Sequence, residues 1–158
     1  MVETIDAGAH RYVGAAFTVV DSGAIRVHRE RCAKVRNRNV DCLKCAAACT
    51  SGCISLEDGE LVIDASKCVG CGTCATVCPT AALEARKPDD KDLLRAAAAT
   101  LQANDGVAVI AEEAMLAAAA GKYDPAKVAA VKSLGRVDES LIAVLVAGGA
   151  SSLSLIHI

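Results

Sequence analysis

The chain has 158 residues, a formal net charge of -2 and a hydrophobic fraction of 53%, enough to bury a core and to exclude wholesale disorder. Aromatic residues make up 2%, too few for the stacking platforms of single-stranded nucleic-acid binders, and the near-zero net charge offers phosphate backbones no general field. Nucleic acid is therefore not an expected partner.

Tyr12–Val20 and Ala24–His28 are rich in Val, Ile and Phe around Asp21-Ser22-Gly23, which predicts a short β-hairpin or an extended lead-in over residues 1–30. All nine cysteines follow between Cys32 and Cys78. Among them, Ile54–Leu56 and Leu61–Ile63 flank Glu57-Asp58-Gly59-Glu60, a second hairpin with Asp-Gly at its turn. Pro88-Asp89-Asp90 opens a helix, with acids at the positive end of its dipole, and Leu93–Asn104 continues it to Asp105-Gly106. Val107–Ala111 then reads as a strand, Glu112–Ala120 as a helix, Lys127–Lys132 as a strand and Glu139–Ala147 as a helix. This alternation predicts a partial α/β unit with a parallel sheet over 88–152, and the class as a whole is α+β.

Nothing in Met1–Gly8 resembles a signal peptide: Glu3 and Asp6 are present, and no apolar stretch follows basic residues. The apolar runs Met115–Ala120 and Leu141–Ala147 are far too short to cross a bilayer. A cytoplasmic, reducing location without membrane insertion is the expectation, and there clustered cysteines mean metal or redox chemistry rather than disulfides.

The sharpest motif is Cys68-Val69-Gly70-Cys71-Gly72-Thr73-Cys74-Ala75-Thr76-Val77-Cys78-Pro79. Its spacing is C-x2-C-x2-C-x3-C-P, the pattern that ligates iron–sulfur cubanes. Three thiolates on one tight loop can face three corners of a cubane. Gly70 and Gly72 permit close backbone approach and let peptide N–H groups point at the sulfides. The first half repeats the pattern: Cys42, Cys45 and Cys49 align with Cys71, Cys74 and Cys78. In this register Ile54 falls on Leu83, Cys53 on Ala82, and Asn39 where Cys68 requires a counterpart. Cys32 lies seven residues upstream of Asn39 and is the natural replacement.

Over Arg31–Arg86 the chain resembles the two-cluster bacterial-type ferredoxin family. The resemblance implies a dicluster domain with a pseudo-twofold repeat over 31–87, in which the fourth cysteine of each motif serves the other cluster. It assigns Cys32, Cys42, Cys45 and Cys78 to the first [4Fe–4S] cluster, and Cys49, Cys68, Cys71 and Cys74 to the second. Thr50 replaces the usual proline, and without Cys32 the first site reduces to a [3Fe–4S] centre or a labile cluster. Cys53 then reads as a small buried residue, or as the reserve ligand of the first cluster. Structural zinc is disfavoured, because a zinc ribbon separates its cysteine pairs whereas here four lie within one short run ending in Cys-Pro.

Arg26, Arg29, Arg31, Lys34, Arg36 and Arg38 concentrate charge ahead of the first site, with Glu30 opposing. They read as a solvated loop, or as a face that docks an acidic redox partner. His10 and His28 stand alone. No P-loop, Ser/His/Asp set or paired catalytic carboxylate is present, so no catalytic residue is assigned. Val107–Glu112 and Ser133–Ile142 resemble the delta subunit of methyl-viologen-reducing hydrogenase, found also with heterodisulfide reductases. Ser133 and Leu134 stand where that family carries its cysteine, which implies that this part binds no cluster. Leu153–Ile158 matches the translation of a sequencing-library adapter and is expected to be non-native. The expected function is relay of single low-potential electrons between a dehydrogenase or hydrogenase and an acceptor. The alternatives are an electron-input module of a multisubunit oxidoreductase, and a protein whose clusters are structural.

Overall fold

The computed structural model describes residues 10–14, 17–21 and 23–157, with side chains from residue 23 onward. The chain divides into two compact units, the first ending at Arg86 and the second running from Lys87 to Ile158.

In the first unit the lead-in forms three strands rather than a hairpin: β1 (His10–Gly14), β2 (Phe17–Asp21) and β3 (Ile25–His28). The segment read as one strand over Tyr12–Val20 folds back on itself, pairing Val13 with Thr18. Gly14-Ala15-Ala16-Phe17 carries none of the Asn-Gly or Asp-Gly signals that betray a hairpin. Ser22, in the turn expected between the two predicted strands, lies outside the described residues. Two short helices follow, α1 (Ala33–Arg36) and α2 (Lys44–Ala47), then β4 (Ile54–Glu57), β5 (Glu60–Ile63), α3 (Thr73–Thr76) and β6 (Leu83–Ala85). β4 and β5 form the predicted hairpin, and its turn has Asp58 at φ 51° and Gly59 at φ 82°. Both angles are left-handed, the requirement of a two-residue type I′ turn, and glycine meets it without steric cost. β6 completes a four-stranded antiparallel sheet of order β1-β2-β3-β6.

The unit is built twice on one plan. β3 buries Ile25 and Val27 and β5 buries Leu61 and Ile63, and in each case the second strand residue is followed five positions later by a cysteine, Cys32 or Cys68. His28 N–H donates to Ala82 O at 2.7 Å, and Asp64 N–H donates to Cys53 O at 2.8 Å. Arg31 N–H reaches His28 O at 3.0 Å as Lys67 N–H reaches Asp64 O at 3.2 Å. The apolar core joins Ile25, Val27, Ile54, Leu61, Ile63 and Leu83 to Cys45, Cys53 and Cys74.

The second unit begins with α4 (Asp90–Ala103), capped by Asp89, whose carboxylate accepts from Asp92 N–H at 2.8 Å. β7 (Val107–Glu112), α5 (Glu113–Ala118), β8 (Ala129–Val131), α6 (Glu139–Ala147) and β9 (Ser152–Ile156) follow. The sheet is parallel with order β8-β7-β9. β8 is shorter than the predicted Lys127–Lys132 because Pro125–Lys127 turns as a 3-10 helix, capped by Asp124. β9 arises from residues that read on sequence as a non-native tail, and Leu153 packs against the core. That core is Leu93, Ala97, Ala108, Ile110, Ala129, Val131 and Leu145. No cysteine belongs to it, as expected from a sequence whose last cysteine is Cys78. Arg136, of the Gly-Arg-Val-Asp stretch, is buried and ion-paired with Asp90. Among the described residues, no helix is long and apolar enough to cross a membrane.

Candidate metal centre

Local sequence brings the cysteines inward at matched positions. α2 and α3 each last one turn and bury their central cysteine, Cys45 or Cys74. Gly72 caps α3 from the left-handed region, at φ 80°, where a side chain would be strained. Cys49 and Cys78 come two residues after their helices and are half-buried. Cys42 and Cys71 are half-buried three positions before the buried cysteine.

One cavity gathers five thiols. Cys49 and Cys53, from the first half, line it together with Cys68, Cys71 and Cys74, and Gly70 and Gly72 form part of its wall. Of the other thiols, Cys78 and Cys32 lie near enough to Cys45 for their charges to act on it. Cys53 stands beside Cys49 in this cavity, their sulfurs 3.4 Å apart, whereas on sequence it reads as a small buried residue or the reserve ligand of the first site. It precedes β4 directly and lines the cavity beside Cys49. Asn39, which the simple repeat aligns with Cys68, sits in an exposed loop where its N–H donates to Asn37 Oδ1 at 3.0 Å.

The electrostatics are those of crowded sulfurs. Burial pushes Cys74 up to about 12, reinforced by Cys71, Cys68, Cys45 and Cys49. Burial also raises Cys45. For Cys49 burial acts upward, but the Ser51 hydroxyl and hydrogen bonds from Cys53 outweigh it and bring the thiol down to about 7. Cys53 is pushed up to about 11, by burial first. Cys78 is lowered despite burial, because it accepts from the backbone N–H groups of Thr80 and Ala82, the latter at 3.2 Å. Such a packing of like thiols is unfavourable once they ionise, and it becomes favourable only with positive charge at its centre. Among the described residues, no three His, Cys, Asp or Glu side chains are grouped to grip a single metal ion. A cubane asks for a wider spread, one thiolate per iron, and the donor set of sulfurs alone fits iron–sulfur chemistry.

The basic stretch is less unopposed than its sequence reads. Arg26 pairs with Glu84 at 3.6 Å and Arg29 with Glu60, acids contributed by β6 and β5. His28 sits between Glu84 at 2.8 Å and Glu30 at 3.4 Å, a structural role on the sheet.

Residues 61–84 match the family of 4Fe-4S binding domains. Over 47 residues the chain is 38% identical to one component of the ion-translocating oxidoreductase complex of Methanosarcina acetivorans, covering 30% of this chain and 18% of that protein. Over 49 residues it is 41% identical to pyruvate synthase subunit PorD of Methanothermobacter marburgensis, covering 31% of this chain and 57% of that protein. The chain therefore spans only part of the length of either relative. No solved structure matches. The matched motif runs from β5 through Cys68, Cys71, Cys74 and Cys78 to β6, and the chain is similar there to a 4Fe-4S binding domain.

Proposed function

We propose that the chain is an electron-transfer protein that holds two [4Fe–4S] clusters and passes single low-potential electrons between redox proteins. Cys32, Cys42, Cys45 and Cys78 would hold the first cluster; Cys49, Cys68, Cys71 and Cys74 would hold the second. The observation that carries the reading is the cavity in which Cys49 from one half stands with Cys68, Cys71 and Cys74 from the other. That exchange of the fourth cysteine is what a two-cluster domain requires and a single-cluster domain does not. Cys32 is supported at the first site by its place after β3, which repeats that of Cys68 after β5, and by its charge coupling to Cys45. When bound, the clusters supply reversible one-electron chemistry. The chain's own groups supply the setting: Ala82 N–H and the Thr80 hydroxyl face Cys78 Sγ, and the Ser51 hydroxyl faces Cys49 Sγ, each offsetting thiolate charge. A [3Fe–4S] centre at the first site is the reading if Cys32 does not ligate.

A second reading, a subunit that feeds electrons into a larger oxidoreductase, is favoured by the names of both relatives, one a component of an oxidoreductase complex and the other of a pyruvate synthase. The second unit would then dock the enzyme; its parallel sheet β8-β7-β9 would be part of a flavodoxin-like layer, similar to the delta subunit of methyl-viologen-reducing hydrogenase. Free thiols throughout fit a reducing, cytoplasmic setting. Anaerobic titration with dithionite tests the function: the chain is expected to take up about two electrons and return them on reoxidation. Clusters that cannot be reduced reversibly would leave only a structural role.

A further inference from the structure

Assigning eight thiolates to two clusters leaves Cys53 over. It is 5% exposed, stands directly before β4, and lies with its Sγ 3.4 Å from Cys49 Sγ. It lines the same cavity as Cys49, Cys68, Cys71 and Cys74. Its counterpart in the other half is Ala82, 1% exposed and held by the equivalent backbone hydrogen bond. Packing at this position is therefore met by a methyl group, and the sulfur at 53 is something the fold does not need. Two thiolates bonded tetrahedrally to one metal at about 2.3 Å stand ~3.8 Å apart. Sulfurs separated by 3.4 Å are closer than that, so an iron within reach of Cys49 is within reach of Cys53.

Resting on the two-cluster reading above, we propose that Cys53 is an interchangeable ligand for the cluster corner assigned to Cys49. In the exchange the iron–Sγ bond to Cys53 forms and that to Cys49 breaks. The proton released by the Cys53 thiol ends on Cys49, and no electron moves. The two sites are thereby unequal: one corner of the second cluster has two candidate thiols, while beside Cys78 at the first the position equivalent to Cys53 is Ala82, which offers no thiol.

Iron and acid-labile sulfide in the anaerobically purified full chain test this, with Cys49→Ala, Cys53→Ala, the double variant and Cys78→Ala compared with the wild type. Cys49→Ala and Cys53→Ala are each expected to keep about eight iron, and the double variant and Cys78→Ala to fall to about seven or fewer. The electron paramagnetic resonance spectrum of the reduced second cluster is expected to change in Cys49→Ala and to stay as wild type in Cys53→Ala. A Cys49→Ala chain with the lowered iron of the double variant overturns the proposal while the wild type's eight iron keeps the two-cluster reading intact. A wild type short of eight iron instead removes that reading first. If Cys49→Ala yields no folded protein, the spare thiol can be moved: Ala82→Cys in the Cys78→Ala background is expected to restore the missing iron. No recovery there overturns the proposal.

Discussion

Ile63 on β5 is 1% exposed and packs in the same core as Cys45, Cys53 and Cys74, opposite Ile54 in the hairpin register. Ile63→Ala removes three carbons, worth about 2.4 kcal/mol at about 0.8 kcal/mol per buried methylene, and leaves a cavity that the short hairpin closes only in part. The expected loss is about 2–5 kcal/mol, or a fall in melting temperature of at least about 10 °C for a unit of this size. Because that core includes buried cysteines, the variant should release its clusters faster while its iron content as purified stays unchanged. Far-UV circular dichroism and the visible absorption of the clusters, followed on heating without oxygen, read both effects. Val62→Ala, on the half-buried face of the same strand, serves as control and is expected to cost under about 1 kcal/mol. A cost below about 1 kcal/mol for Ile63→Ala, or equal costs for the two variants, would refute the claim that this face of β5 supports the cysteines.

Cys32→Ala should lower iron from about eight to about seven per chain, because Cys53, the one thiol assigned to neither cluster, lines the cavity of Cys49, Cys68, Cys71 and Cys74; iron unchanged at about eight would remove Cys32 from the ligand set. In the metal-free chain a maleimide pulse at neutral pH should label Cys49 ahead of Cys74, with the Cys49 rate half-maximal near pH 7, since Cys49 sits at about 7 and Cys74 at about 12. Equal labelling would show that the cavity does not persist without metal. Cys74 is raised above its ordinary 9.0, so its contribution to metal-free stability is complete below pH 9 and is lost as pH climbs toward 12. Urea midpoints of the metal-free chain should therefore fall above pH 9, and a rising midpoint there would contradict the burial assigned to Cys74.

Much of this architecture is written in local chemistry. The run from Cys68 to Pro79, the Asp58-Gly59 turn and the Asp138-capped helix α6 each depend on neighbours in sequence, and each stands where the residues place it. The place of Cys32 is harder to read, because the repeat changes register: Cys42, Cys45 and Cys49 align with their partners at one separation, whereas Ile25, Val27 and Cys32 align with Leu61, Ile63 and Cys68 at another. The loop that holds α1 absorbs the difference, and the buried alternation of Ile25 and Val27 is the signal that could have revealed it. The fold-back between β1 and β2 has no turn signature in Gly14-Ala15-Ala16. The approach of Cys53 to Cys49 spans only four residues, through a turn in which Gly52 N–H donates to Cys49 O at 3.2 Å. The acids opposing Arg26 and Arg29 come from β6 and β5 across the chain, a tertiary matter that spacing does not encode.

The two-cluster relay stands or falls on iron and acid-labile sulfide per chain, measured on protein purified without oxygen. About eight of each is the expected result, two [4Fe–4S] clusters held by eight thiolates. About four of each would mean that a single cluster forms and would contradict the relay; zinc with no sulfide would contradict iron–sulfur chemistry altogether.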